Sequence, residues 1–206
     1  HQPVVLVSGH GCHVRDEDGR SYLDLVAGIA VNCLGHAHPA VASAVQAQVQ
    51  TLIHTSNLYY TIPQIELAQL LVDNSCADRA FFCNSGAEAN EGAIKLARKW
   101  GKLHRNGAFG IISAQGSFHG RTLATVAATG QVKYQKPFLP MPDGFSQVPY
   151  NDLEAVQKAT TDQTVGILLE PVQGESGVHP AHQEYLQGVR TWCDENDLLL
   201  IFDEVQ

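Results

Sequence analysis

Positive charge is scarce in this sequence. Thirteen Lys and Arg stand against 21 Asp and Glu, a formal net charge of −8 over 206 residues. No run of Lys and Arg offsets that balance, which argues against nucleic acid as a partner. Long apolar stretches are also missing, and none reaches the ~20 residues of a bilayer-crossing helix; no membrane partner is expected. The five cysteines (Cys12, Cys33, Cys76, Cys83 and Cys193) are scattered, odd in number and form no Cys-x-x-Cys. That fits reduced thiols in a cytosol-like compartment. His1-Gln2-Pro3 has no signal-peptide character, and a cytoplasmic protein is expected. Internal repeats and low-complexity segments are absent. His36 and His38 have no Cys or acid at ligand spacing beside them, so they do not read as a metal site.

What is present is 44% hydrophobic residues, enough for one or two domains with a real core. The chain is organised around Asn84-Ser85-Gly86-Ala87-Glu88-Ala89-Asn90. Residues 79–83 read as a short buried strand ahead of it. Behind it, Asn90, Ile94, Ala97 and Gly101 fall on one helical face. Ser85 is an N-cap, and Glu88 completes a capping-box pattern. Gly86 and Ala87 carry almost no side chain, so the amides at the helix start lie open to a phosphate or carboxylate. The same pattern also serves an ordinary capped helix.

In chain order, residues 4–7 read as a strand and 12–24 as a hairpin turning at Asp18-Gly19. Residues 28–35 read as loop or short strand. Pro39 starts a helix to about Ile53, with Val41, Val45, Gln48 and Leu52 at helical spacing. Thr61 and Pro63 open another through Val72, with Ile65, Ala68, Leu71 and Val72 inward. Residues 109–114 read as a buried strand. Residues 130–144, with three prolines, read as a long surface loop. Asn151 and Glu154 look like a capping box for a helix to about Ala159. Residues 165–169 read as a strand buried on both faces. Pro180 is placed to start a helix carrying Leu186, Val189 and Cys193 on one face, and 198–202 read as a last buried strand. The alternation indicates an α/β fold with a mostly parallel sheet.

In such sheets ligands bind beyond the carboxyl ends of the strands. Four strands here end in chemistry: at Ser85-Gly86-Ala87, at 118–121, at 170–175 and at 203–206. Phe118 and Arg121 are what a planar, anionic ligand needs, although an aromatic in the core and a charge on the surface would look the same. Asp203 suits a basic ring nitrogen, although a solvated strand end would also carry Asp203-Glu204. A ligand with a phosphate, a flat ring and a basic ring nitrogen meets all four groups, and pyridoxal 5′-phosphate is such a ligand.

The motifs Ser85-Gly86-Ala87-Glu88-Ala89-Asn90, Phe118-His119-Gly120-Arg121-Thr122, Glu170-Pro171-Val172-Gln173-Gly174-Glu175 and Asp203-Glu204-Val205-Gln206 resemble the class III (subgroup II) pyridoxal-phosphate aminotransferases. The resemblance implies fold type I, the aspartate aminotransferase-like fold. Residues 1–55 would belong to the small domain and 56–206 to the first part of the large, cofactor-binding domain. Within the family the sequence resembles the acetylornithine branch, through the stretches at 28–32, 54–60 and 133–138. Ile29 stands where ornithine-specific members tend to carry tyrosine, and an apolar residue suits an acetylated α-nitrogen.

The resemblance also implies roles. Ser85, Gly86 and Ala87 would hold the cofactor phosphate, Phe118 would stack on the ring, Asp203 would pair with the ring nitrogen, and Gln206 would bond the 3′ oxygen. Arg121 would bind the substrate α-carboxylate, and Glu175 would be the family's switch glutamate, with Glu170 in support. Acetylornithine, 2-oxoglutarate and glutamate would be the substrates and product of a homodimer. The family's catalytic lysine lies beyond the Asp-Glu-Val-Gln motif, and none of the lysines among these 206 residues fits that role. The sequence is therefore expected to be about half of an enzyme, inactive by itself.

Overall fold

The computed structural model describes residues 4–205. The chain divides into two compact units, the first ending at Ala80 and the second beginning at Phe81.

The first unit opens on a three-stranded antiparallel sheet of β1 (Leu6–His10), β2 (His13–Asp16) and β3 (Ser21–Leu23). The Asp18-Gly19 turn forms as expected, with Gly19 at φ +80°. Asp16 is buried and closes this hairpin by accepting from the Arg20 amide at 2.8 Å and the Tyr22 hydroxyl at 2.6 Å. The strand expected at 4–7 starts two residues later. The stretch expected as loop or short strand opens on a single left-handed turn, α1 (Ala27–Ala30), with all four residues at positive φ. Asp24 anchors it by accepting from the Val26 and Ala27 amides, and the His36 ring lies 2.7 Å from the same carboxylate.

Helices α2 (Pro39–Thr51) and α3 (Ile62–Asp73) form where their starts predict them, each with proline in its first turn. Their apolar faces are largely uncovered, with only Ala68 and Val72 of the residues expected inward partly buried. Val41, Val45, Leu52, Ile65 and Leu71 are all exposed among the described residues. The start signals lie within the helix's own sequence, whereas burial needs a second element laid against it.

The second unit is built on a four-stranded, all-parallel sheet in the order β5-β4-β6-β9. In chain order it runs α4 (Gly86–His104), β4 (Gly110–Ala114), α5 (Leu123–Ala128), α6 (Val132–Gln135), β5 (Phe145–Val148), α7 (Leu153–Ala159), β6 (Thr164–Leu169), the small antiparallel pair β7 (Val172–Gln173) and β8 (His179–Pro180), α8 (Gln183–Glu195) and β9 (Leu199–Phe202). All of β6 is buried. Ile111, Val165 and Leu168 pack with Ile94 and Ala97 of α4 and Ala128 of α5. Ile112, Ile167 and Leu169 pack with Val156 of α7 and Tyr185, Val189 and Cys193 of α8. The sheet is thus covered on both faces, as parallel sheets are.

Several local expectations change. Residues 79–83 form no strand, Phe81 is 78% exposed, and none of the four sheet strands pairs with them. The 130–144 stretch is not one loop. It holds α6 and a 3-10 turn over Lys136–Phe138, where Pro137 sits in the first turn and so breaks nothing. Strand β5 follows it, unforeseen because four residues after a proline-rich approach leave little periodicity. Helix α7 is capped by Asp152, which accepts from the Ala155 amide at 2.9 Å, and not by Asn151. Asn151 is left-handed, and its side chain accepts instead from the His182 amide. Pro180 lies in β8, so α8 starts three residues later than expected, at Gln183.

Candidate active site

The site assembles at the carboxyl ends of β6, β4 and β9 and the amino end of α4. Ser85 caps α4 as predicted, its side chain accepting from the Glu88 amide at 3.2 Å. Glu88 reaches back one residue further than a standard capping box, to the Asn84 amide at 2.6 Å. Among the described residues no protein group accepts from the Gly86 and Ala87 amides, and Gly86 is exposed. These free donors sit at the positive end of a 19-residue helix.

One turn along, Asn90 is buried on the apolar face of α4. Its side-chain amide donates to Asp203 Oδ2 at 2.8 Å and to the His119 carbonyl at 2.9 Å. Asp203 is 8% exposed and follows β9 directly; its amide donates to the Leu169 carbonyl at 2.8 Å, continuing the β6 ladder. The fully buried His119 ring places Nδ1 2.9 Å from the same Asp203 oxygen. Burial acts to raise the Asp203 pKa, but the hydrogen bonds from His119 and Asn90 outweigh it and hold the carboxyl below the usual carboxylate range. Asp203 is therefore a buried anion, at a position where a cation would be strongly favoured.

Glu170 leaves the adjacent strand β6. It is buried, and Oε2 accepts from the Phe118 amide at 3.1 Å. Burial, with the charge of Asp203 adding to it, pushes its pKa up to about 7 against the lowering effect of the Phe118 amide. The two neighbouring carboxyls thus differ in charge state near neutral pH: Asp203 is ionised, and Glu170 is divided between its two forms.

The loop from β4 to α5 carries Phe118, His119, Gly120 and Arg121. It lies flat against the start of α4. A Cβ on Gly120, at φ +130°, would come within 2.8 Å of the Ala87 Cβ and of Thr125 Oγ1. Only glycine permits this approach. Phe118 is half-buried and meets Tyr134 of α6 edge-on, at 5.6 Å between centroids. The Arg121 guanidinium lies over the Phe118 and Tyr134 rings at 5.4 and 4.5 Å. Glu175 is exposed and accepts a hydrogen bond from the Tyr134 hydroxyl. Ile29 lies in the first unit, on the left-handed turn, 75% exposed. Gln206 falls outside the described residues.

One end of the second unit thus gathers free amides, a buried anion, an aromatic ring and an arginine. The donor set fits a planar group with an anionic tail and a protonated ring nitrogen, as expected of pyridoxal 5′-phosphate. The residues the sequence reading missed are Asn90 as a partner of Asp203, His119 as the second one, and Tyr134. Asn90 carried a signal, since a polar residue on an otherwise apolar helix face must find a partner.

The family model for class-III aminotransferases matches residues 1–206. The chain belongs to the class-III aminotransferase family. It is 60% identical over 206 residues to the acetylornithine aminotransferase of Methanocaldococcus jannaschii, which takes in 99% of this chain and 52% of that protein. A protein of the same name from Caldanaerobacter subterraneus is 56% identical over 205 residues, again covering 99% of this chain and 52% of the relative. Among solved structures, the N-acetylornithine aminotransferase of Stenotrophomonas maltophilia superposes with a TM-score of 0.83 at 40% identity, over 98% of this chain and 50% of that one. The ornithine aminotransferase of Toxoplasma gondii superposes with a TM-score of 0.91 at 30% identity, over 98% and 49%. The chain spans about half the length of the curated relatives it matches.

Proposed function

We propose that the intact protein is a pyridoxal 5′-phosphate enzyme that moves the δ-amino group of N2-acetylornithine to 2-oxoglutarate, forming glutamate. The observation that carries this reading is Asp203, a buried carboxylate kept ionised by Asn90 and His119 one helical turn from the free amides of α4. The two aminotransferases named above, at 60% and 56% identity, support acetylornithine as the amine donor.

The Gly86 and Ala87 amides, with Ser85, would hold the phosphate through the helix dipole. Asp203 would keep a proton on the ring nitrogen, and Phe118 would cover a ring face. Once bound, the cofactor supplies the electron sink that such amino-group transfers need. Arg121 would take the α-carboxylate of acetylornithine in a bidentate fork. Ile29 offers an apolar surface to the acetylated nitrogen, and Glu175 is the switch glutamate. Glu170 fixes the Phe118 amide, and with it the loop that carries Phe118 and Arg121. Gln206 is assigned the 3′ oxygen.

Residues 1–55 would belong to the small domain and 56–206 to the large one. A homodimer in the cytoplasm is the expected form; exposed Leu58, Tyr59 and Tyr60 support a partner surface there. Amine-donor profiling of the full-length protein tests the function. N2-acetylornithine with 2-oxoglutarate should give the highest kcat/KM, and a preference for free ornithine or 4-aminobutyrate would overturn the assignment.

A further inference from the structure

Three residues given separate roles above all touch one side chain to which no motif assigns a role, that of Tyr134. Its ring faces the Arg121 guanidinium at 4.5 Å. Its edge-on partner is Phe118. Its hydroxyl donates to Glu175. Arg121 and Glu175 are opposite charges at the ring and at the hydroxyl of a single tyrosine, yet among the described residues Arg121 forms no ion pair. Among the described residues Arg121 donates no hydrogen bond to a protein group, and a guanidinium held over aromatic rings can keep N–H groups free for a ligand. Those are the donors a carboxylate needs for two parallel bonds. Glu175, if released, would compete for them.

We propose that Tyr134 is the positioning residue of the carboxylate site: its hydroxyl holds Glu175 away from Arg121, and its ring seats Arg121 with its donor edge open to substrate. The inference rests on reading Arg121 as the carboxylate clamp. It assigns Tyr134 a part in binding and none in proton transfer. It also explains why a tyrosine is needed at this place. Phenylalanine would seat the arginine but free the glutamate. Leucine would free the glutamate and leave the arginine unseated.

The test uses the full-length holoenzyme and calorimetric binding of two carboxylates that cannot react, N2-acetyl-L-norvaline and glutarate. Tyr134→Phe should bind both roughly tenfold more weakly, the low end for one hydrogen bond to a charged group, with an unchanged melting temperature. Adding Glu175→Gln should restore affinity to within about twofold of Glu175→Gln alone, because a neutral amide competes poorly for the guanidinium. Unchanged affinity in Tyr134→Phe, or a loss that persists in the double variant, overturns the proposal. If the wild type binds glutarate but not acetylnorvaline, the acetylornithine reading falls, and the Tyr134 assignment is then decided on glutarate. Binding of neither probe removes both.

Discussion

Asn90 and Asp203 lie 113 positions apart in the chain and meet at 2.8 Å, where the Asn90 amide and the His119 ring share one carboxylate oxygen. The bond ties the helix that offers free amides to the strand end that offers the anion. The two ends of the proposed cofactor site are therefore tied to each other through α4.

Asp203→Asn removes the charge and leaves the shape. In the full-length enzyme the cofactor should stay bound through the α4 amides, while kcat falls by about 100-fold or more, the scale seen when one preorganised electrostatic partner is lost. The pH dependence has a definite sign. The folded-state pKa of Asp203 lies below its ordinary value, so its contribution to stability is present above the ordinary carboxylate range and disappears as pH falls through the folded value. An undiminished kcat would refute the ring-nitrogen role.

Arg121→Lys keeps a positive charge but loses the fork. KM for N2-acetylornithine should rise about tenfold or more, the equivalent of one charge-assisted hydrogen bond. A carboxylate held equally in ground and transition states contributes to KM alone, so kcat should change little. Steady-state kinetics on the two half-reactions measure both. A variant with normal KM would show that Arg121 is not the clamp.

Glu170 behaves oppositely to Asp203. Its folded pKa is raised from 4.5 to about 7, so the folded state binds more protons than the unfolded one between those values, and stability declines as pH rises through that window. Glu170→Gln keeps an acceptor for the Phe118 amide and removes the ionisation. Thermal unfolding of the variant should match wild type near pH 4 and exceed it above pH 7, by on the order of 2–3 kcal/mol. Equal melting curves at pH 8 would show that Glu170 is not a buried titrating group.

Gly120→Ala tests the close approach of the Phe118 loop to α4. The added methyl meets Ala87 and Thr125 at 2.8 Å on a left-handed backbone, a strain of about 1–3 kcal/mol. The melting temperature should drop by several degrees, and cofactor affinity should weaken as the helix start is displaced. Gly107→Ala, left-handed but facing open space, should cost less. Equal effects from the two substitutions would leave no role for the contact.

Legibility of the fold followed the range of the interactions. Helix α4 could be read because its cap and its apolar face lie within a few turns of each other. Strand β6 could be read because burial on both faces leaves an unbroken apolar run. Residues 79–83 read the same way and form no strand, since an apolar run says nothing about whether a neighbour supplies its backbone bonds. The structure has Glu170 and Asp203 directly at strand ends, as the motifs put them, and Phe118 and Arg121 further out, on the loop after β4. What the motifs could not show is which side chains touch. His119 and Asn90 reach Asp203 through the sheet order, and Tyr134 reaches Arg121 through a helix hidden among prolines.

The ladder between β6 and β9, with Leu169 opposite Phe202, also acts as a ruler. Glu170 and Asp203 are the next residues out on each strand, so their spacing is set by backbone geometry rather than by side-chain choice. Sliding β9 by a single notch would turn Asp203 to the opposite side of the sheet. An insertion between α8 and Asp203 should silence the chemistry even if every named residue survives.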